Sequence, residues 1–172
     1  MLAPAVEWRP DLTLGRRVRL LEVPWDYVDR EARDRGAYII LLRLAAPRRV
    51  PIGSRGAADF REGWYAYVGS AMEHLSARLA HHARPTKRPH WHLDYLRPYA
   101  AEVVALPIRS SVRIECDLAR ALAAVFEPGP RGFGSSDCRC AGHLFYSPTH
   151  PLRRPDFHEV LQRFRMRPPD LH

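Results

Sequence analysis

Two nearly continuous apolar runs, AYIILLRL from Ala37 and WYAYVG from Trp64, constrain this chain most. Runs of this kind, rich in β-branched and aromatic residues and lacking polar alternation, read as buried strands. Pro47 ends the first, and Gly69-Ser70 ends the second. Between them, RVPIGSRGAADF reads as a short strand, a Gly-Ser-Arg-Gly turn and another short strand. Successive strands joined by turns predict an antiparallel meander.

The rest of the chain alternates helical and extended patterns. Ser70-Ala71-Met72-Glu73 has the Ser-x-x-Glu form of a capping box. It predicts a helix over about 72–84, with Leu75 and Leu79 buried and Arg78 and His82 sharing a neighbouring stripe. Pro85 stops that helix, and RPTKRP is a basic loop. HWHLDYLRPY predicts a short helix ended by Pro98, and AEVVALPIR a further strand. Ser111 is placed to cap a helix over about 112–126, with Leu118, Leu122 and Val125 as its core stripe and Glu115 in its first turn. EPGPRGFGSSDCRCAG is a long glycine-rich loop, and HLFYS a last short strand.

Residues 1–35 read as an N-terminal extension. It contains a strand-like RRVRLLEV, a polar, helix-compatible VPWDYVDREARDRG, and Trp8 and Trp25 to pack it on the body. From Pro148 a proline- and arginine-rich tail, residues 148–172, carries one short helix in FHEVLQRFRM. The expected fold is a mixed α/β domain of α+β character over residues 36–147, a small antiparallel β-sheet flanked by helices.

Composition narrows the function. The 172 residues suffice for one domain with tails and a real core. No apolar run approaches the roughly 20 residues that cross a bilayer. MLAPAVEWRPDL lacks the charged-then-apolar pattern of an export signal, so a cytoplasmic location and no membrane partner are expected. Three cysteines, an odd number, argue against a disulfide framework. The formal net charge of +8 suits a polyanion such as nucleic acid. The bias of the basic residues towards arginine, with Lys87 the sole lysine, is also what GC-rich codon usage produces.

The ordered set Gly36-Ala37-Tyr38, Tyr67-Val68-Gly69, Arg78, His82 and Glu115 resembles the GIY-YIG nuclease superfamily. WYAYVGSA, ARLAHH, HWHLDYL, ECDLARAL and GFGSSDCRCAGHLFY together resemble one uncharacterised branch of it, found alone or fused to endonuclease III-like repair proteins. The resemblance covers about 36–147. It implies a metal-dependent endonuclease that hydrolyses DNA phosphodiester bonds, with a repair-protein partner and a role in DNA repair as extensions. It further implies that adjacent strands bring both phenols to one surface. Tyr38 would help take a proton from water, and Tyr67 would orient water and phosphate. Arg78 would offset phosphoryl charge, His82 would assist proton transfer or phosphate binding, and Glu115 would hold Mg2+ or Mn2+. Arg84, Lys87 and Arg88 are the expected phosphate-backbone contacts. The alternative is a non-catalytic nucleic-acid-binding module of the same fold. The superfamily often has a late asparagine near the site, but this chain has no asparagine; Ser135, Ser136 and Asp137 are candidates to replace it.

Other features stay open at this level. His90 and His92 flank Trp91, but i and i+2 of a short helix point to different faces, so one is expected to be structural and the other to cap or to face nucleic acid. Cys138-x-Cys140-x-x-His143, with Cys116 as a fourth ligand, invites a zinc reading. Paired zinc cysteines usually have two residues between them, and buried thiols in a packed loop are the competing reading. The loop at Gly132 and Gly134 either cradles a phosphate with its N–H groups or turns tightly.

Overall fold

The structure is a computed structural model and describes residues 32–166. The strand, helix and tryptophan contacts expected in the extension before Ala32 lie outside the described residues. So does the chain after Met166.

The two apolar runs form β1 (Gly36–Leu44) and β4 (Gly63–Ala71), and they pair antiparallel along their whole length. The short runs between them are β2 (Arg48–Pro51) and β3 (Ala57–Phe60). Downstream follow helix α1 (Leu75–Ala83), helix α2 (His92–Leu96), strand β5 (Ala100–Arg109) and helix α3 (Glu115–Ala123). Strand β6 (Glu127–Pro128), strand β7 (Leu144–Ser147) and helix α4 (Pro155–Arg165) complete the described residues. The main sheet has the order β5-β1-β4-β7-β6, with antiparallel neighbours throughout. The mixed α+β class with an antiparallel sheet flanked by helices is therefore as expected.

Why the runs are continuously apolar follows from their two partners. Ala37, Ile39 and Leu41 enter one core, and Tyr38, Ile40 and Leu42 enter the other, as strand period two requires. The first core is closed by Leu118 and Leu122 of α3 and Phe157, Val160 and Leu161 of α4. The second is closed by Leu75 of α1, Leu93 and Leu96 of α2, Val50 and Phe60 of the β2–β3 hairpin, and Phe133 of the glycine-rich loop. Each such side chain contributes roughly 1.5–3 kcal/mol on burial.

Three local expectations need correction. The strands do not form one meander, because β2 and β3 pair in a sheet of their own while β1 pairs with β4 directly. Val50 and Phe60 draw that hairpin over the sheet face instead of into the sheet. The capping box at Ser70 does not form either. Ser70 and Ala71 extend β4 opposite Ala37 and Gly36, so α1 starts only at Leu75. Its first turn is held by Asp34, whose carboxylate accepts from the Ser76 amide at 2.9 Å and hydroxyl at 2.7 Å. Finally, α3 begins at Glu115 and not near 112, with Ile114 buried at its N-cap. The helix expected inside the tail is α4, and its packing against α3 carries the folded body beyond residue 147. No helix among the described residues is long and apolar enough to cross a membrane.

Candidate active site

A cavity of about 400 Å³ opens where the ends of β1 and β4 meet the start of α3. Its lining includes Tyr38, Tyr67 and Ser70 from the sheet, Arg78 from α1, His90 to His92 ahead of and at α2, Arg113 and Glu115 at α3, and Gly134, Ser136 and Asp137 of the glycine-rich loop.

Register explains how the two phenols meet. Tyr38 lies opposite Gly69, and Tyr67 opposite Ile40, so the tyrosines are diagonal neighbours on one face with ring centroids 6.4 Å apart. Gly69 supplies the room, since a Cβ there would collide with the Tyr38 ring and hydroxyl. Gly134, at φ 74°, does the same for Tyr67 on the loop side. Its amide donates to His92 Nδ1 at 2.8 Å, which ties the loop to α2. Both histidines of the His90/His92 pair line the cavity; His92 is the structural member, and His90 is the exposed one.

Behind Tyr38 lies a buried polar chain. The Tyr38 hydroxyl is 2.9 Å from His82 Nε2, and His82 Nδ1 faces Asp94 Oδ1 at 3.5 Å. The Asp94 carboxylate also takes the His90 and Trp91 amides at 3.0 Å each, His81 Nε2 at 3.1 Å and the Lys87 ammonium at 3.0 Å. Burial opposes ionisation of Asp94, but the facing His82 imidazole and the bonds from the two amides and His81 outweigh it and hold its carboxyl far below the usual range. Burial lowers the His82 pKa below 6.5, so its imidazole is neutral at pH 7. Asp94 favours the tautomer with hydrogen on Nδ1, which leaves Nε2 as acceptor for the Tyr38 proton. Burial pushes the ionisation of Tyr38 and Tyr67 well above the phenolic range, against the pull of Arg78.

On the opposite wall Glu115 is clasped from two sides. Ser70 Oγ donates to Oε2 at 2.5 Å, and His143 Nδ1 lies 3.2 Å from Oε1. Burial raises the Glu115 pKa, but His143, Ser70 and the more distant Arg113 more than reverse this, so the carboxylate is ionised. Ser70 thus serves the cavity instead of capping a helix. The Arg78 guanidinium lies 4.1 Å above the Trp91 ring, a cation–π contact that aims it while leaving it charged.

Tyr38, Tyr67, Arg78 and Glu115 therefore share one cavity, whereas His82 is fully buried behind Tyr38 and does not line it. Of the expected backbone contacts, Arg84 and Arg88 are exposed. Lys87 is not a free surface cation: its side chain is 8% exposed, paired with Asp94, and donates to the His81 carbonyl. Ser136 and Asp137 reach the cavity, while Ser135 is buried. Sequence reasoning missed Arg113, an isolated exposed arginine with no local signal. It also missed the links that join Asp94 to His82 and His143 to Glu115, which depend on partners distant in the chain.

Chemically, the cavity offers two guanidinium groups, two phenols and an ionised carboxylate, a set able to hold an oxyanion beside a cation. Its oxygen donors are Glu115, Asp137 and the hydroxyls of Ser70 and Ser136. They fit a hard divalent ion that keeps most of its waters, because each Glu115 oxygen retains a lone pair beyond its present hydrogen bond.

No curated protein and no solved structure matches the chain. Residues 37–166, which comprise β1 to α4 almost entire, match the family described as "Domain of unknown function DUF123". With most of its length matched, including both walls of the cavity, the chain belongs to the DUF123 family.

Proposed function

We propose that this protein is a GIY-YIG-type endonuclease that hydrolyses phosphodiester bonds of DNA with the help of Mg2+ or Mn2+. The observation that carries the reading is the convergence of Tyr38, Tyr67, Arg78 and Glu115, from four elements of the chain, on one cavity. Arg78 and Arg113 hold the scissile phosphate and offset the charge that grows on it. Tyr67 orients the attacking water. Tyr38 takes the water proton as it passes its own to His82 Nε2, and Asp94 steadies the imidazolium that forms. The relay matters because Tyr38 is too weak an acid to exist as phenolate at neutral pH. Glu115, with Asp137 in the same cavity, would hold the divalent ion, whose chemistry would be to polarise a phosphoryl oxygen. Exposed Arg84 and Arg88 extend the cationic surface beyond α1 towards the flanking phosphates.

The test is a cleavage assay on single-stranded, duplex, branched and base-damaged DNA with Mg2+ or Mn2+, using the Glu115→Gln chain as control. Metal-dependent cleavage by the native chain alone is the expected result. Salt-sensitive binding with no cleavage of any substrate would make the protein a nucleic-acid-binding module instead.

A further inference from the structure

On the side of His143 that faces away from Glu115, three cysteines meet. Cys116 is the second residue of α3, and Cys138 and Cys140 belong to the glycine-rich loop. One ligand atom from each of Cys116, Cys138, Cys140 and His143 lies within 4.8 Å of all the others. All three thiols are free. His143 is 1% exposed and its Nδ1 is committed to Glu115, so Nε2 is the nitrogen that faces the sulfur atoms. It lies 3.5 Å from Cys138 Sγ. A tetrahedral ion with Zn–S of about 2.3 Å and Zn–N of about 2.0 Å requires an N···S separation of about 3.5 Å.

We propose that Cys116, Cys138, Cys140 and His143 bind one zinc ion. Three thiolates and an imidazole are soft and borderline donors that close a tetrahedral shell, which favours zinc over the hard cations expected at Glu115. The single residue between Cys138 and Cys140 is no obstacle here, because the other two ligands come from a helix and a strand entry rather than from a second paired loop.

The ion has two effects. It fastens the loop that brings Gly134, Ser136 and Asp137 to the cavity onto the start of α3. It also fixes the His143 tautomer with hydrogen on Nδ1, directed at Glu115, in the carboxylate–histidine–zinc arrangement by which outer groups orient a metal ligand. Zinc binding is read without any cleavage measurement, so its failure and the failure of the nuclease reading are separable.

The experiment uses the full chain, purified under reducing conditions without chelator. Elemental analysis should find one zinc per chain. Cobalt(II) titration of the metal-stripped chain should give the intense visible bands of tetrahedral geometry with thiolate-to-cobalt charge transfer. Cys138→Ser and Cys140→Ser should lose the zinc. Glu115→Gln should keep it with affinity lowered about 10–100-fold, as for other outer partners of a ligating histidine. Absence of stoichiometric zinc together with no charge-transfer band on cobalt titration overturns the proposal, as does iron in place of zinc. Should the serine variants fail to fold, the cobalt titration of the unsubstituted chain decides alone.

Discussion

The two walls of the cavity use the same device for different ends. Each presents one polar group, Tyr38 or Glu115, and each backs it with a buried histidine. Behind His82 stands Asp94, a carboxylate whose remaining hydrogen-bonding capacity goes to amides, His81 and Lys87. Behind His143 stand thiols. The first histidine has an anion on its far side, which suits it to take up a proton. The second directs Nδ1 towards Glu115, which suits it to keep a carboxylate ionised and still. The contrast teaches that a histidine's role here is set by what lies behind it, not by the group it serves.

Removing the backing group tests that contrast most severely. Asp94→Ala removes a buried anion, leaves His81 and the His90 and Trp91 amides without an acceptor, and leaves Lys87 without its counter-charge. We expect a loss of about 3–5 kcal/mol in denaturant unfolding. Glu115→Ala, which removes the group presented by the other wall and not its backing, leaves only Ser70 and His143 short of a partner, and should cost about 1–3 kcal/mol. Equal costs would mean that the two walls are not built differently.

Acid should separate the walls next. The His82 pKa is lowered by burial, so the unfolded chain takes up that proton first. Its contribution to stability is present above the unfolded pKa of about 6.5 and is lost as pH falls from there towards the lower folded value, by at most about 1.4 kcal/mol per pH unit. Activity should fall in the same direction, since a protonated His82 cannot accept from Tyr38. Unfolding curves of native and His82→Gln chains at pH 7 and pH 5 check the sign. A difference between them that does not change with pH contradicts it.

The smallest effect concerns the cations beside the Tyr38 wall. Arg84→Ala and Arg88→Ala should each reduce the slope of log affinity against log salt for DNA by about 1. Lys87→Met should leave that slope unchanged and act on stability, because Lys87 is already paired with Asp94. A salt slope reduced by Lys87→Met would return Lys87 to the DNA-facing surface.

How much of this was legible in the sequence differs between the same two regions. The two long strands follow from their apolar runs, which are local signals, whereas the meeting of Tyr38 with Tyr67 was implied by the family resemblance and rests on the direct β1–β4 pairing that the expected meander did not contain. Arg78 and Glu115 follow from their place on helices and from family resemblance. His82 and His143 were both named from the sequence, but the contacts by which they back Tyr38 and Glu115 were not legible. His82 reaches Tyr38 across 44 positions, His143 reaches Glu115 across 28, and Ser70 abandons a plausible capping box for a carboxylate 45 residues on. Asp34, which holds the first turn of α1, acts on Ser76 over 42 positions. Contacts of this kind are set by which sheet face each element covers, and a short motif carries no trace of that.

The central claim is that both walls act on one phosphate, and a double-mutant cycle tests it most directly. Rates of metal-dependent DNA cleavage would be measured for the native, Tyr38→Phe, Glu115→Gln and doubly substituted chains. Each single change should lower the rate about 10²–10⁴-fold, and the double change should cost little more than the worse single one, since groups that serve one transition state are not additive. Glu115→Gln or Tyr38→Phe cleaving at the native rate, or a native chain with no metal-dependent cleavage, would contradict the account.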